Sequence, residues 1–183
     1  MQNGTEKIKI KMLKTLILYS STDGHTKKIC ERISSNVNKV LNVDLKPLNS
    51  LEDNTLQEYE QIIIGASIRY GKHNPRVYKF IENNLDYLEK NKSSFFSVNV
   101  VARKKGKNTP ETNPYIKKFL SISKWKPKNM AVFAGKIDYQ KYGLIDKYMI
   151  KLIMWIGKGP TDIKGVYEFT DWTEVDRFSQ KLI

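Results

Sequence analysis

Residues 19–26, YSSTDGHT, join the apolar run LKTLILYS to a segment in which Ile29, Ile33 and Val37 recur every fourth residue. That order predicts a buried strand, a tight polar turn and an amphipathic helix. The first turn of such a helix has backbone N–H groups without intrahelical partners, at the positive end of the macrodipole. An anion fits there. Ser20, Ser21, Thr22 and Thr26 add short hydroxyl groups, and Gly24 lets the backbone approach the anion closely. The stretch matches neither G-x-x-x-x-G-K-[ST] nor G-x-G-x-x-G, so an NTPase loop and a dinucleotide fingerprint are both unsupported. A mononucleotide phosphate is the expected guest.

Downstream, strand and helix signals alternate. VDLKPL (43–48) reads as a second strand, and the acidic stretch 51–59, with Glu52, Asp53 and Glu58, as a brief helix or loop. QIIIGAS (61–67) is continuously apolar, as strands buried on both faces are. Asn74 and Pro75 are an N-cap and first helical residue ahead of Val77, Phe80, Ile81, Leu85 and Leu88. FFSVNVV (95–101) and MAVFAGKI (130–137) are the fourth and fifth strands, with a basic loop and the short helix YIKKFLSI between them. Asp171 and Glu174 form a capping-box pattern for a final helix that buries Trp172, Val175, Phe178 and Leu182. The expected fold is α/β: a doubly wound, five-stranded parallel sheet of order 2-1-3-4-5 with right-handed crossovers. Residues 1–13 read as an N-terminal extension to one domain, 14–183.

In such sheets ligands bind beyond the carboxyl ends of the strands, at the switch point between strands 1 and 3. Three loops meet there: 20–26, 67–73 and 99–106. The second holds Ser67, Arg69, Tyr70, Gly71 and His73; the third holds Asn99, Ala102 and Arg103. Tyr70 offers a face to a planar ring and Gly71 a flexible backbone, so flavin mononucleotide suits the loops better than a bare sugar phosphate. The cofactor-binding set is therefore Ser20, Ser21, Thr22, Asp23, Gly24, His25, Thr26, Ser67, Arg69, Tyr70, Gly71, Asn99, Ala102 and Arg103. His25 and His73 read as hydrogen-bonding or solvent-facing histidines, and no catalytic acid or base stands out.

One segment lies outside the five-strand scheme. Residues 138–165 exceed an ordinary connection. Leu144, Ile145, Tyr148, Met149, Leu152, Ile153, Trp155 and Ile156 form one helical face, with Asp146, Lys147 and Lys151 on the other. A helix packed on its own domain competes here with an interfacial helix, and the Trp and flanking lysines favour the interface. Lys147, Lys151 and Trp155 are the expected substrate or membrane contacts. The lysines interrupt the run too often for it to span a bilayer.

The formal net charge of +13 is concentrated between 103 and 128, where nine basic residues face Glu111 alone. Such a stripe suits phosphates, carboxylates or an anionic bilayer. Nucleic acid is not expected, since no helix-turn-helix, zinc-finger spacing or RNP-like aromatic pattern appears. Cys30, the single cysteine, excludes an internal disulfide and reads as a packing thiol; with two histidines it makes no structural zinc set. The start of the chain does not read as a secretory signal.

The first loop resembles the flavodoxin phosphate loop, T/S-x-T-G-x-T, with residues 21–26 in its places. Asp23 departs from it, standing where a hydroxyl residue is expected; its carboxylate is expected to point away from the phosphate or to cap the helix. A broader set is similar to the bacterial menaquinone-dependent protoporphyrinogen IX dehydrogenases, which are flavodoxin-like. It comprises KTLILYSSTDG, IIIGASIRYGKH, SVNVVARK with TPETNPY, DKYMIKLIM and YEFTDW. The resemblance implies an FMN enzyme of haem synthesis that carries out a six-electron oxidation of protoporphyrinogen IX, with menaquinone or another respiratory quinone as acceptor. It also implies a peripheral protein on the cytoplasmic face of the inner membrane, with the insertion of a long-chain flavodoxin. Homo-oligomerisation stays open. The competing expectations are a flavodoxin-type electron carrier, which would be acidic, and an NAD(P)H-quinone reductase of the same fold.

Overall fold

Strands without polar alternation need cover on both faces. The computed structural model, which describes residues 12–51 and 56–183, provides it. The parallel strands are β1 (Leu13–Ser20), β2 (Leu41–Pro47), β3 (Gln61–Arg69), β5 (Lys92–Val98) and β6 (Asn129–Phe133), in the order β2-β1-β3-β5-β6. A two-residue β4 (Lys72–His73) folds back antiparallel on β3. With that short return set aside, the order is the expected 2-1-3-4-5. The expected N-terminal extension lies outside the described residues up to residue 11, as do Glu52 and Asp53 of the acidic stretch.

The helices are α1 (His25–Val37), α2 (Pro75–Asn83), α3 (Leu85–Lys90), α4 (Pro114–Ile122), α5 (Leu144–Ile156) and α6 (Trp172–Gln180). Successive strand residues face opposite sides, and two cores result. Leu16, Leu18, Ile62, Ile64 and Phe95 pack with Val77, Ile81, Ile116 and Phe119 of α2 and α4. Ile17, Ile63 and Phe96 pack with Ile29 and Ile33 of α1 and Val175 and Phe178 of α6. Cys30 is fully buried in that second core, where burial pushes its thiol pKa up. Gly65 lies opposite Phe96 in the β3–β5 register, and a methyl group there would overlap the phenylalanine ring.

The fourth and fifth parallel strands end earlier than expected, each for a local reason. The fourth parallel strand ends at Val98 rather than residue 101, because the Asn99 side chain accepts from the Ala102 N–H and starts a 3₁₀ turn, Val100–Arg103. The fifth strand breaks after Phe133. Its continuation, β7 (Lys136–Asp138), pairs antiparallel with β8 (Val166–Glu168) in a separate ribbon. The long insertion grows from the open end of that ribbon, where Asp138 faces Val166.

Candidate functional site

At the carboxyl rim, β1 delivers residues 21–24 into α1. Gly24 is the N-cap and adopts φ +84°, a left-handed conformation that glycine enters without strain, and open space surrounds the position a Cβ would take. Its N–H donates to Ser21 Oγ at 3.0 Å, which closes the turn. The first helical bond runs from the Lys28 N–H to the Gly24 carbonyl, so the N–H groups of His25, Thr26 and Lys27 precede the helical ladder. No acidic residue lies in that first turn. A phosphate group fits this cradle. Thr22 is exposed, Thr26 is buried, and the Ser20 carbonyl accepts from Ser67 Oγ at 3.2 Å, tying the first loop to the second.

Asp23 does not cap α1, in contrast to one of the two roles expected of it. Arg69 Nη1 donates to it at 3.1 Å and draws the carboxylate towards the β3 loop. The same guanidinium donates through Nη2 to Asp146 at 2.7 Å, and its centre lies 5.1 Å from the ring centres of Tyr70 and Tyr142. The Tyr70 hydroxyl donates to the other Asp146 oxygen at 2.6 Å. That hydrogen bond, with the charge of Arg69, holds the Asp146 carboxyl below its ordinary range. Tyr70 and Gly71 have φ of +50° and +74°, so the loop turns back sharply and leaves the Tyr70 ring 60% exposed at the rim. A positive φ at a tyrosine is strained, and the hydroxyl's bond to Asp146 helps to hold it.

His25 lines the cleft from below. Thr170 donates its hydroxyl proton to the Ala134 carbonyl at 2.8 Å, so its oxygen accepts from His25 Nε2 at 2.6 Å, and the histidine proton sits on Nε2. Burial pushes the His25 pKa down. The cleft is lined by Ser21–Asp23, His25, Thr26, Ser67–Arg69, Val98–Val100, Gly135 and Lys136, and measures about 60 Å³. A larger cleft of about 490 Å³ opens among Lys90, Lys92, Lys126, Lys128 and Lys181, but at the amino ends of the strands, the opposite pole from these loops.

The third loop is placed differently from expectation. Asn99 lines the cleft, but its amide is engaged: Oδ1 accepts from the Ala102 N–H and from Asn113 Nδ2, and Nδ2 donates to Ser97 Oγ. Ala102 and Arg103 line a groove beside β6 instead. Arg103 donates to the Val100 carbonyl at 3.1 Å and the Gly157 carbonyl at 2.8 Å, so it holds the end of α5 rather than lining the cleft. His73 is buried, with Nε2 3.0 Å from Ser97 Oγ and its ring edge-on to Phe95 and Phe119; burial pushes its pKa down to about 4.

Helix α5 thus runs from the β3 loop to the β5 loop, across the rim. Its inward stripe is Asp146, Ile150 and Met154, with Met154 buried against Ile137, Tyr139 and Tyr142. Leu144, Ile145, Trp155 and Ile156 are between 70% and 84% exposed, while Lys147 and Lys151 are half-buried along the flanks. The apolar face expected on this helix points to solvent.

A flavodoxin domain model matches residues 16–164. The chain is 39% identical over 171 residues to the protoporphyrinogen IX dehydrogenase [quinone] of Escherichia coli K12, covering 93% of this chain and 94% of that one. A protein of the same name from Leishmania major is 40% identical over 171 residues, covering 91% of this chain and 73% of that one. The chain belongs to the quinone-dependent protoporphyrinogen IX dehydrogenase family. Among solved structures, an archaeal flavodoxin matches with a TM-score of 0.50 at 17% identity, covering 93% of this chain and 96% of its own. Megasphaera elsdenii flavodoxin matches equally well at 14% identity, over 64% of this chain and 84% of its own. Both place this family member in the flavodoxin fold.

For a member of this dehydrogenase family, residue patterns left several groups of the rim out of the site. Thr170, Gly135, Lys136 and Tyr142 are each distant in sequence from the three loops. Asp146 appeared only as one polar residue on an amphipathic helix. Its isolation as the one acid in LIDKYMIKLIMWI was the available signal.

Proposed function

We propose that the chain oxidises protoporphyrinogen IX to protoporphyrin IX with FMN as cofactor and a respiratory quinone, menaquinone above all, as acceptor. It would work as a peripheral protein at the cytoplasmic face of a bacterial inner membrane. The observation that carries this reading is α5, whose ends are held by Arg69 of β3 and Arg103 of the loop after β5 and whose apolar side chains face outward. A quinone dissolved in lipid needs a reductase whose site meets the bilayer. Among the described residues no helix is long and apolar enough to cross a membrane, so an interfacial helix is the means available.

Bound FMN would supply the redox chemistry at its ring. The chain's own part is positional. The helix dipole and the N–H groups of His25, Thr26 and Lys27 hold the phosphate, and Arg69 neutralises the Asp23 carboxylate that would otherwise repel it. Tyr70 and Ser67 stand at the edge where the ring would lie. Lysines on α5, Lys147 and Lys151, would attract anionic headgroups and the substrate's carboxylates.

The test is an absorbance spectrum of the purified chain followed by anaerobic titration with protoporphyrinogen IX. Loss of flavin absorbance on adding substrate, with recovery on adding menaquinone, is the expected result. Reduction by NADPH without porphyrinogen would assign the chain to the NAD(P)H-quinone reductases instead. Electron exchange with protein partners alone would make it a carrier, a role the outward apolar helix and the +13 charge disfavour.

A further inference from the structure

Asp146 is the one carboxylate of α5, and it is turned away from solvent-facing Ile145 towards the rim. Both of its oxygens are occupied by groups from the β3 loop, the Arg69 guanidinium and the Tyr70 hydroxyl. Through Arg69 it is joined to Asp23, and so to the turn that leads into α1. One side chain therefore connects the exposed apolar helix, the loop expected beside the flavin ring and the loop expected around its phosphate. The charged members of this network are partly shielded from solvent, with Arg69 24%, Asp146 26% and Asp23 32% exposed, while Tyr70 is 60% exposed. Tyr70 has φ +50°, and its hydroxyl bond to Asp146 helps to hold that conformation.

We propose that Asp146 is the positioning residue that couples the seating of α5 on an anionic bilayer to the arrangement of Arg69 and Tyr70 at the flavin. When the apolar face of α5 enters the headgroup region, the helix moves and Asp146 moves with it. Arg69 and Tyr70 are then redistributed over the ring, and Asp23 is released or held accordingly. Bilayer and cofactor become linked ligands. Linkage requires reciprocity: whatever factor vesicles apply to FMN affinity, FMN applies to vesicle affinity. The inference rests on the FMN and membrane reading above.

The experiment uses the full chain, FMN, and vesicles of phosphatidylglycerol and phosphatidylcholine. FMN dissociation constants are measured by flavin fluorescence with and without vesicles, and vesicle binding by sedimentation with and without FMN. The wild-type chain is expected to show a change of at least about fivefold in each, by the same factor, the lower end of ordinary allosteric coupling. D146N is expected to bind FMN and to sediment with vesicles, yet to show neither change. D146E should restore the coupling, and Y70F, which removes one of the two hydrogen bonds, should reduce it. A D146N chain with the wild-type vesicle effect overturns the proposal, as does a wild-type chain that binds both partners independently. A wild-type chain that takes up no FMN, or does not sediment with vesicles, overturns the underlying reading, and the coupling falls with it.

Discussion

At Gly65 a missing side chain is the structural requirement. The residue sits in the central strand, and the Phe96 ring, fully buried between sheet and helices, occupies the space above it. G65A should destabilise the chain by about 1–3 kcal/mol, the usual range for overpacking, visible as a lower urea midpoint at unchanged slope. His73 is a second residue whose burial has a measurable consequence. Its folded pKa of about 4 lies below the ordinary 6.5, so between those values the unfolded chain binds a proton that the folded chain does not. Stability is therefore complete above pH 6.5 and falls as the pH drops towards 4, by up to about 3 kcal/mol from this group. His25 acts in the same direction. Urea midpoints measured from pH 7 to 4 should fall less steeply in H73Q, which keeps a polar partner for Ser97 but does not titrate. His73 had been legible only as one of two histidines in predicted loops. Its neighbours Phe95, Phe119 and Ser97 come from β5 and α4, and no local pattern could have named them.

Elements fared better where their signals were local. Asn74 accepts from the Arg76 N–H and Asp171 from Thr173 and Glu174, because a cap is made within a few residues of itself, whereas the Glu174 carboxylate of the expected capping box accepts from Arg177. The fourth strand was misplaced by three residues because its entry, Lys92–Ser93–Ser94, is polar, and apolar content marks only the buried part. The outward orientation of α5 could not be read from periodicity, since an apolar stripe looks the same whether it faces a core or a membrane. The insertion also has a natural excision point. Asp138 and Val166 pair across the ribbon, so removing 140–164 leaves Tyr139 and Gly165 as a two-residue connection. That variant should fold and bind FMN but lose vesicle association. Circular dichroism, flavin fluorescence and sedimentation check the three parts, and an unfolded product would show that Tyr139, Tyr142 and Met154 are a required core.

For the whole molecule, greasy surface is gathered on α5 while basic charge is spread over both poles, with Lys90, Lys92, Lys126, Lys128 and Lys181 at the amino ends of the strands. The +13 charge favours anionic lipid at long range, while Trp155 and its apolar neighbours act only on contact. Raising salt from 50 mM to 500 mM should weaken wild-type sedimentation with phosphatidylglycerol vesicles several-fold but not abolish it. Replacing Leu152, Trp155 and Ile156 together by Gln should remove the salt-resistant remainder. The turn from β1 into α1 was legible from eight contiguous residues, whereas the ion pairs beside it join residues 46 to 77 apart, Arg69 with Asp23 and with Asp146. Those pairs also decide how α5 can move. Asp146 fastens one end to the β3 loop and Gly157 fastens the other to Arg103, so the helix resembles an axle in two bearings. An axle cannot swing out like a door, but it can roll. A roll would change which side chains look inward without freeing either end.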